Sequence, residues 1–159
     1  MRTLLALPLA LALAACADDA TPEPTAAPDP TPAAPAAGLV TDGAYARSAP
    51  AGGVSAVYLT LQNGTSAADT LLAAVTPAAG RVEIHQTQDV GDGLSGMVPV
   101  EGGLAVPAGG TVTMEPGGLH VMLLDLQREL AAGDTLDVEL QFSSGDRRTV
   151  RAPVRAPGA

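Results

Sequence analysis

The sequence predicts an all-β domain, a β-sandwich or small Greek-key barrel of about seven or eight strands. Three observations support this class. Short apolar runs alternate with turn residues over residues 39–154. The 18 Gly and 14 Pro residues among 159 disfavour long helices. Residues 135–143 alternate apolar and polar side chains, as in a strand with one buried face. A short helix is predicted at residues 126–132.

Each predicted strand is bounded by turn signals. Residues 54–61 are rich in β-branched and aromatic side chains and are followed by Asn63-Gly64. The strand with the clearest alternation places four apolar residues on one face: Leu136, Val138, Leu140 and Phe142. The other strands are predicted at residues 69–75, 81–87, 111–115, 119–124 and 148–154. This alternation indicates antiparallel pairing around one core, in which Tyr45, Tyr58 and Phe142 are expected to be packing residues.

The N-terminus is predicted to be a lipoprotein signal peptide, residues 1–15. Arg2 supplies a positive charge, and an uninterrupted apolar stretch follows from Leu4 to Ala15. This stretch ends in Leu13-Ala14-Ala15-Cys16, which resembles the lipobox of bacterial lipoproteins. The resemblance implies cleavage before Cys16 and acylation of that residue. We therefore predict a membrane-anchored lipoprotein of the bacterial cell envelope that faces the periplasm.

Residues 16–38 are predicted to hold the lipidated cysteine and a spacer. Their composition is dominated by Ala and Pro, which favours extended polyproline II structure over a packed core. The prolines are Pro22, Pro24, Pro28, Pro30, Pro32 and Pro35. The β domain is predicted at residues 39–154, and residues 155–159 form a C-terminal tail.

Composition excludes several classes of function. The net charge is −9 and all eight basic residues are arginine, so binding of nucleic acid through a basic face is not expected. The single cysteine rules out an internal disulfide and multi-cysteine metal sites. Because acylation would consume that thiol, thiolate catalysis is also excluded. No phosphate-binding loop with its Lys-Ser/Thr pair is present, and no enzymatic activity is predicted.

The histidines and methionines are the informative residues. His120 and Met122 lie two apart in a predicted strand, so their side chains share one face. Thioether sulfur prefers Cu(I), and no free thiolate is available for a blue-copper centre. The residues alone therefore favour a Cu(I) carrier over a redox centre. They are equally compatible with methionines that fill gaps in the core and histidines without a metal.

Residues 43–154 resemble the PCuAC-type periplasmic copper chaperones. His85 and Met97 stand at the family's interval, with Gln86 in the place of an optional methionine, and His120-Val121-Met122 matches the family's His-x-Met. Between Met97 and His120 lie 22 residues, one more than usual, and we place the extra residue in the turn at residues 101–103. Further matches are Ala44-Tyr45-Ala46-Arg47, Val82-Glu83-Ile84-His85, Met97-Val98-Pro99-Val100 and Pro116-Gly117-Gly118-Leu119.

The resemblance implies a cupredoxin-like fold that binds one Cu(I) through His85, Met97, His120 and Met122. Met114 lies outside the motif and is expected in the core. The resemblance also implies transfer of copper to the copper-site subunit of cytochrome c oxidase, alongside a Sco-type thiol protein. Two alternatives stay open at this point: a metal-free β-sandwich lipoprotein that binds other proteins, and a carrier for copper storage or resistance.

Overall fold

The computed structural model describes residues 38–156. These residues form ten β-strands, and within them no helix is long and apolar enough to span a membrane. The predicted signal peptide, Cys16, residues 17–37 and residues 157–159 lie outside the described part. The strands are β1 (Leu39–Arg47), β2 (Ser55–Asn63), β3 (Asp69–Val75), β4 (Ala79–Gly91), β5 (Leu94–Pro99), β6 (Leu104–Val106), β7 (Thr111–Met114), β8 (Leu119–Leu126), β9 (Thr135–Phe142) and β10 (Arg147–Arg155).

The strands pair into one open sheet in the order β5-β4-β8-β2-β1-β10-β9-β3-β6, and β7 pairs with β2 beside this path. Strands β1 and β10 run parallel, with Ala46 opposite Val154 and Arg47 opposite Arg155. The other strand pairs of the described chain are antiparallel. The short parallel contact joins a half built on β2, β4 and β8 to a half built on β3, β9 and β10. The all-β prediction is confirmed.

Both halves of the sheet contribute to one hydrophobic core. The four residues predicted to be buried in β9 are all buried, and Phe142 is only 4% exposed. From the other half, Val57 of β2 and Val121 and Leu123 of β8 are fully buried. Met114 is 2% exposed and belongs to the same core. Because successive side chains of a strand point to opposite faces, residues 56, 58, 120 and 122 must lie on the outer face of the sheet.

The structure corrects two details of the sequence prediction. Ten strands form rather than seven or eight, because β1, β5 and β6 were not predicted. Strands β1 and β5 contain Gly43 and Gly96, and β6 has only three residues, so each gives a weak strand signal. The predicted helix at residues 126–132 is wrong. Leu130 is instead fully buried and forms an isolated bridge with Ala49, so burial in the core decides the local structure.

One carboxylate ties the start of β3 to the turn between β9 and β10. Asp69 accepts hydrogen bonds from the hydroxyl groups of Ser143 (2.7 Å) and Ser144 (2.6 Å). It also accepts bonds from the backbone N–H groups of Thr70 (2.7 Å) and Ser144 (3.1 Å). Desolvation raises the pKa of Asp69, but these hydrogen bonds outweigh it and lower the pKa from 3.8 to about 2. The carboxylate is therefore charged in the folded protein down to strongly acidic pH.

Strands β4 and β5 form a hairpin at one edge of the sheet. The chain reverses at Asp92-Gly93, whose φ angles of 54° and 72° are those of the Asp-Gly turns common in two-residue hairpins. Strand β5 pairs with β4 alone among the described strands. Met97 lies in this edge strand opposite Thr87, which places it beside the outer face of β4 and β8.

Candidate metal centre

The two histidines of the chain face each other on neighbouring strands. His85 in β4 is the direct register partner of His120 in β8, and their ring centroids are 6.0 Å apart. Both residues are buried. This separation is compatible with a metal ion bound to one nitrogen of each ring at about 2.0–2.1 Å, the distance typical of zinc bound to histidine. Strand pairing thus brings together two of the predicted ligands, which are 35 residues apart in sequence.

Both predicted methionine ligands lie on the same sheet face as this pair. Met122 is opposite Glu83, and Met97 is opposite Thr87. Since Glu83 and Thr87 flank His85 at two-residue spacing, each methionine is a diagonal cross-strand neighbour of His85. Such neighbours lie roughly 7–8 Å apart and are within reach of long side chains. Met122 is half-buried, whereas Met97 is 60% exposed.

Each histidine has one ring nitrogen held by a hydrogen-bond acceptor. His85 Nε2 is 2.7 Å from Glu83 Oε2, and His120 Nδ1 is 3.1 Å from the carbonyl oxygen of Gly118. The second nitrogen of His85, Nδ1, is buried and has no hydrogen-bond partner among the described residues. Metal-binding histidines characteristically donate one ring N–H to a carboxylate or carbonyl and offer the other nitrogen to the metal. Both rings therefore have the hydrogen-bond arrangement that is characteristic of metal-binding histidines.

A cavity of about 560 Å³ opens beside the histidine pair. Its wall includes His120, both predicted methionine ligands and Tyr58. His85 is not part of this wall, so the structure brings three of the four predicted ligands to the cavity and places the fourth against His120. Arg47 supplies the cationic group of the lining.

A row of rings extends from the histidine pair across the sheet. The centroid of Tyr58 is 6.2 Å from that of His120 and 5.1 Å from that of Tyr45. The guanidinium carbon of Arg155 lies 4.3 Å from the centroid of Tyr45, within the range of a cation–π interaction. Tyr58 is buried, as predicted for a packing residue, but it packs beside the candidate site rather than in the core between the two halves.

Sequence reasoning missed Glu83 and Tyr58 as members of the site. The signal for Glu83 is its position two residues before His85, which puts both side chains on one face of β4. The signal for Tyr58 is weaker, because its position beside His120 depends on the pairing of β2 with β8. In residues 38–156, no three His, Cys, Asp or Glu side chains are grouped so as to hold a metal ion. The side-chain donors that could join the histidine pair on this face include the sulfur atoms of Met97 and Met122.

The fold and the histidine pair define a class: a cupredoxin-like β domain with two histidines and two methionines on one sheet face. The chain belongs to the LpqE-like family, whose model, described as "Putative lipoprotein LpqE-like", matches residues 39–154. It is 32% identical over 125 residues to "Putative lipoprotein Lxx21020" of Leifsonia xyli subsp. xyli, covering 79% of this chain and 74% of that protein. It is 31% identical over 100 residues to the uncharacterized protein RP573 of Rickettsia prowazekii, covering 63% of this chain and 55% of that protein.

Solved structures of PCuAC domains are similar to this fold. The copper-bound PCuAC domain from PmoF2 superposes with a TM-score of 0.61 at 26% identity, covering 77% of this chain and 97% of that domain. The CuI-DR1885 structure from Deinococcus radiodurans gives a TM-score of 0.60 at 33% identity, covering 77% of this chain and 81% of that one. The predicted resemblance to the PCuAC family and the cupredoxin-like fold are confirmed.

Proposed function

We propose that this protein is a lipid-anchored Cu(I) chaperone of the bacterial cell envelope, with His85, Met97, His120 and Met122 as copper ligands. The observation that carries the proposal is the direct register of His85 with His120, with both methionines on the same face. Similarity to a copper-bound PCuAC domain and to CuI-DR1885 supports it. Copper is the cargo of this protein and not a catalytic cofactor, and no catalytic role is proposed.

The donor set favours reduced copper. Thioether sulfur is a soft ligand that selects Cu(I), and imidazole is compatible with it. With two neutral imidazoles and two neutral thioethers, the bound site keeps the +1 charge of the metal. No thiolate is available among the described residues, which contain no cysteine. The site therefore lacks the ligand that gives blue-copper centres their electron-transfer chemistry.

The exposure of the ligands suits transfer of the metal. His85 and His120 sit on strands that are paired on both sides and are buried, whereas Met97 lies on the edge strand and is largely exposed. Methionine has three rotatable side-chain bonds, so Met97 can swing toward the histidine pair and away from it. Of the two methionines that line the cavity beside His120, Met97 is the more exposed to an approaching acceptor. We propose that Met97 is the first ligand replaced when copper passes to the acceptor.

The proposed anchor follows from the sequence motif at Cys16, and the proposed acceptors follow from the resemblance to the PCuAC family. Cys16 is proposed to carry the acyl chains, and residues 16–38 to hold the domain away from the membrane on the periplasmic side. The family's description as lipoproteins supports this arrangement. The proposed acceptor is the copper-site subunit of cytochrome c oxidase or a Sco-type thiol protein.

An anaerobic Cu(I) titration against a chromogenic chelator tests the metal site. The mature chain, residues 16–159 with Cys16→Ser, should bind one Cu(I). Met97→Leu and Met122→Leu should weaken binding while leaving the fold intact, because this swap nearly conserves side-chain volume. Met114→Leu is the matched control and should leave affinity unchanged, since Met114 lies in the core. Equal affinity of Met122→Leu and the unsubstituted chain would refute the thioether site.

A transfer assay separates the chaperone from a storage or resistance carrier, and the titration separates both from a metal-free protein. A chaperone loaded with Cu(I) should pass the metal to the apo copper-site subunit of the oxidase, or to a Sco-type protein. A storage or resistance carrier would bind Cu(I) equally well but retain it in this assay. A metal-free interaction protein would not bind Cu(I) in the titration at all.

A further inference from the structure

We infer that Glu83 is a positioning residue that fixes the tautomer of His85, so that His85 binds copper through Nδ1 while His120 binds through Nε2. This inference deepens the proposed function and rests on it for the identity of the metal. Its structural basis is the hydrogen-bond pattern around the two rings, which does not depend on any metal being present.

The contact between Glu83 and His85 is short and supported from the other side. Glu83 Oε2 lies 2.7 Å from His85 Nε2, and Glu83 Oε1 lies 3.3 Å from Nε of Arg81. All three residues alternate along β4 and so share its outer face. Arg81 is well exposed, so it orients the carboxylate from the solvent side while His85 is held in the buried layer.

Only one neutral tautomer of His85 satisfies these surroundings. A carboxylate accepts hydrogen bonds and cannot donate them, so Nε2 must carry the proton. The opposite tautomer would place a lone pair against the carboxylate and bury an unpartnered N–H at Nδ1. Leaving such a donor unsatisfied favours the paired tautomer roughly 5- to 150-fold. Nδ1 then carries a lone pair that no hydrogen bond occupies, and it is the ring nitrogen of His85 that can bind a metal.

His120 is held in the opposite tautomer by a different acceptor. Its Nδ1 faces the carbonyl oxygen of Gly118 at 3.1 Å. A carbonyl oxygen, like a carboxylate, accepts hydrogen bonds and cannot donate them. His120 therefore carries its proton on Nδ1 and offers Nε2. The two histidines present chemically different nitrogen atoms to the same metal. Of the two histidines, His85 has a charged hydrogen-bond partner, Glu83, and this partner raises the basicity of the His85 ring as a metal ligand.

The first test measures the tautomer without copper. Nitrogen-15 NMR of the histidine side chains in the copper-free mature chain, residues 16–159 with Cys16→Ser, distinguishes protonated from unprotonated ring nitrogens. At a pH where His85 is neutral, it should be protonated at Nε2 and His120 at Nδ1. Glu83→Gln should keep the His85 tautomer, because the amide oxygen can still accept the bond. Glu83→Leu should lose it. A purely structural role for Glu83 would not produce this pattern.

The second test measures affinity for Cu(I) in the same variants. Loss of a partner of a metal-binding histidine typically weakens metal affinity roughly 10- to 100-fold, and this is the expected effect of Glu83→Leu. Glu83→Gln should fall between Glu83→Leu and the unsubstituted chain. Glu101→Gln removes a carboxylate in the exposed turn after β5 and is the matched control for charge. It should leave affinity unchanged.

The outcomes separate this inference from the proposed function. Protonation of His85 at Nδ1 in the unsubstituted chain would overturn the inference and leave the copper site standing. Unchanged Cu(I) affinity in folded Glu83→Leu would overturn it as well. Failure of the unsubstituted chain to bind Cu(I) would overturn the proposed function, and with it the assignment of the ligating nitrogens.

Discussion

Replacing Asp69 by asparagine should remove part of the acid sensitivity of this domain. Asp69 has a pKa of about 2 in the folded protein against 3.8 in the reference state. A folded-state pKa below the unfolded one means that the unfolded chain takes up the proton first as pH falls. The ionised carboxylate therefore contributes stability that is fully present above about pH 4 and is lost progressively down to about pH 2.

The size of this contribution follows from the shift and from the contacts. Each pKa unit corresponds to about 1.36 kcal/mol, so the shift gives at most about 2 kcal/mol once partial solvent screening is allowed for. The four hydrogen bonds from residues 70, 143 and 144 are the physical cause of the lowered pKa, because each of them stabilises the ionised carboxylate.

Urea unfolding followed by circular dichroism at pH 7, 4, 3 and 2 measures the effect. Asp69→Asn should be less stable than the unsubstituted domain at pH 7 by up to about 2 kcal/mol, and the gap should close toward pH 2. Asp146→Asn is the control within the same turn, because Asp146 pairs with Arg148 at the exposed surface and should matter little. A gap of equal size at pH 7 and pH 2 would show that Asp69 acts through packing alone.

Three further predictions test burial and anchoring. Phe142→Ala should destabilise the domain by about 3–5 kcal/mol in a urea titration, because the ring is buried in the core. A loss of less than about 1 kcal/mol would contradict the packing described. Met114→Ala should lower the free energy of unfolding by about 2–5 kcal/mol, because Met114 is 2% exposed. Met97→Ala should lower it by less than about 0.5 kcal/mol, because Met97 is 60% exposed. Similar losses in the two variants would contradict the placement of β5 at the edge of the sheet. Cys16→Ser should move the protein from the membrane fraction to the soluble fraction, and mass spectrometry that finds an unmodified cysteine would exclude the anchor.

The fold class could be predicted from the sequence because the alternation of apolar and polar residues in β9 is a local property. The positions of Leu136, Val138 and Leu140 fix a buried face whatever strand lies beside it. The edge strand β5 was not predicted, since Gly96 interrupts its pattern and most of its residues are exposed. The mistaken helix at residues 126–132 has a different origin, because burial of Leu130 is a tertiary effect that outweighs local propensity.

The candidate ligands could be selected from the sequence, but their arrangement could not. The spacing of His120 and Met122 places them on one face of a single strand. The register that sets His85 against His120 joins strands far apart in the chain, and no local pattern specifies it. The contact between Glu83 and His85 could be predicted only in part. The sequence shows that the two side chains lie on one face of β4, but only the structure shows that Nδ1 of His85 is buried without a hydrogen-bond partner.

The row of rings on the outer face also gives the protein an intrinsic optical reporter. The sequence has no tryptophan and just two tyrosines, and Tyr45 and Tyr58 stand together beside His120. The ultraviolet fluorescence of the whole chain therefore originates next to the candidate site. A change at His120 alters the surroundings of Tyr58 directly, while unfolding separates the tyrosine pair. Emission from the unlabelled protein can thus follow occupancy of the site and integrity of the sheet in one cuvette.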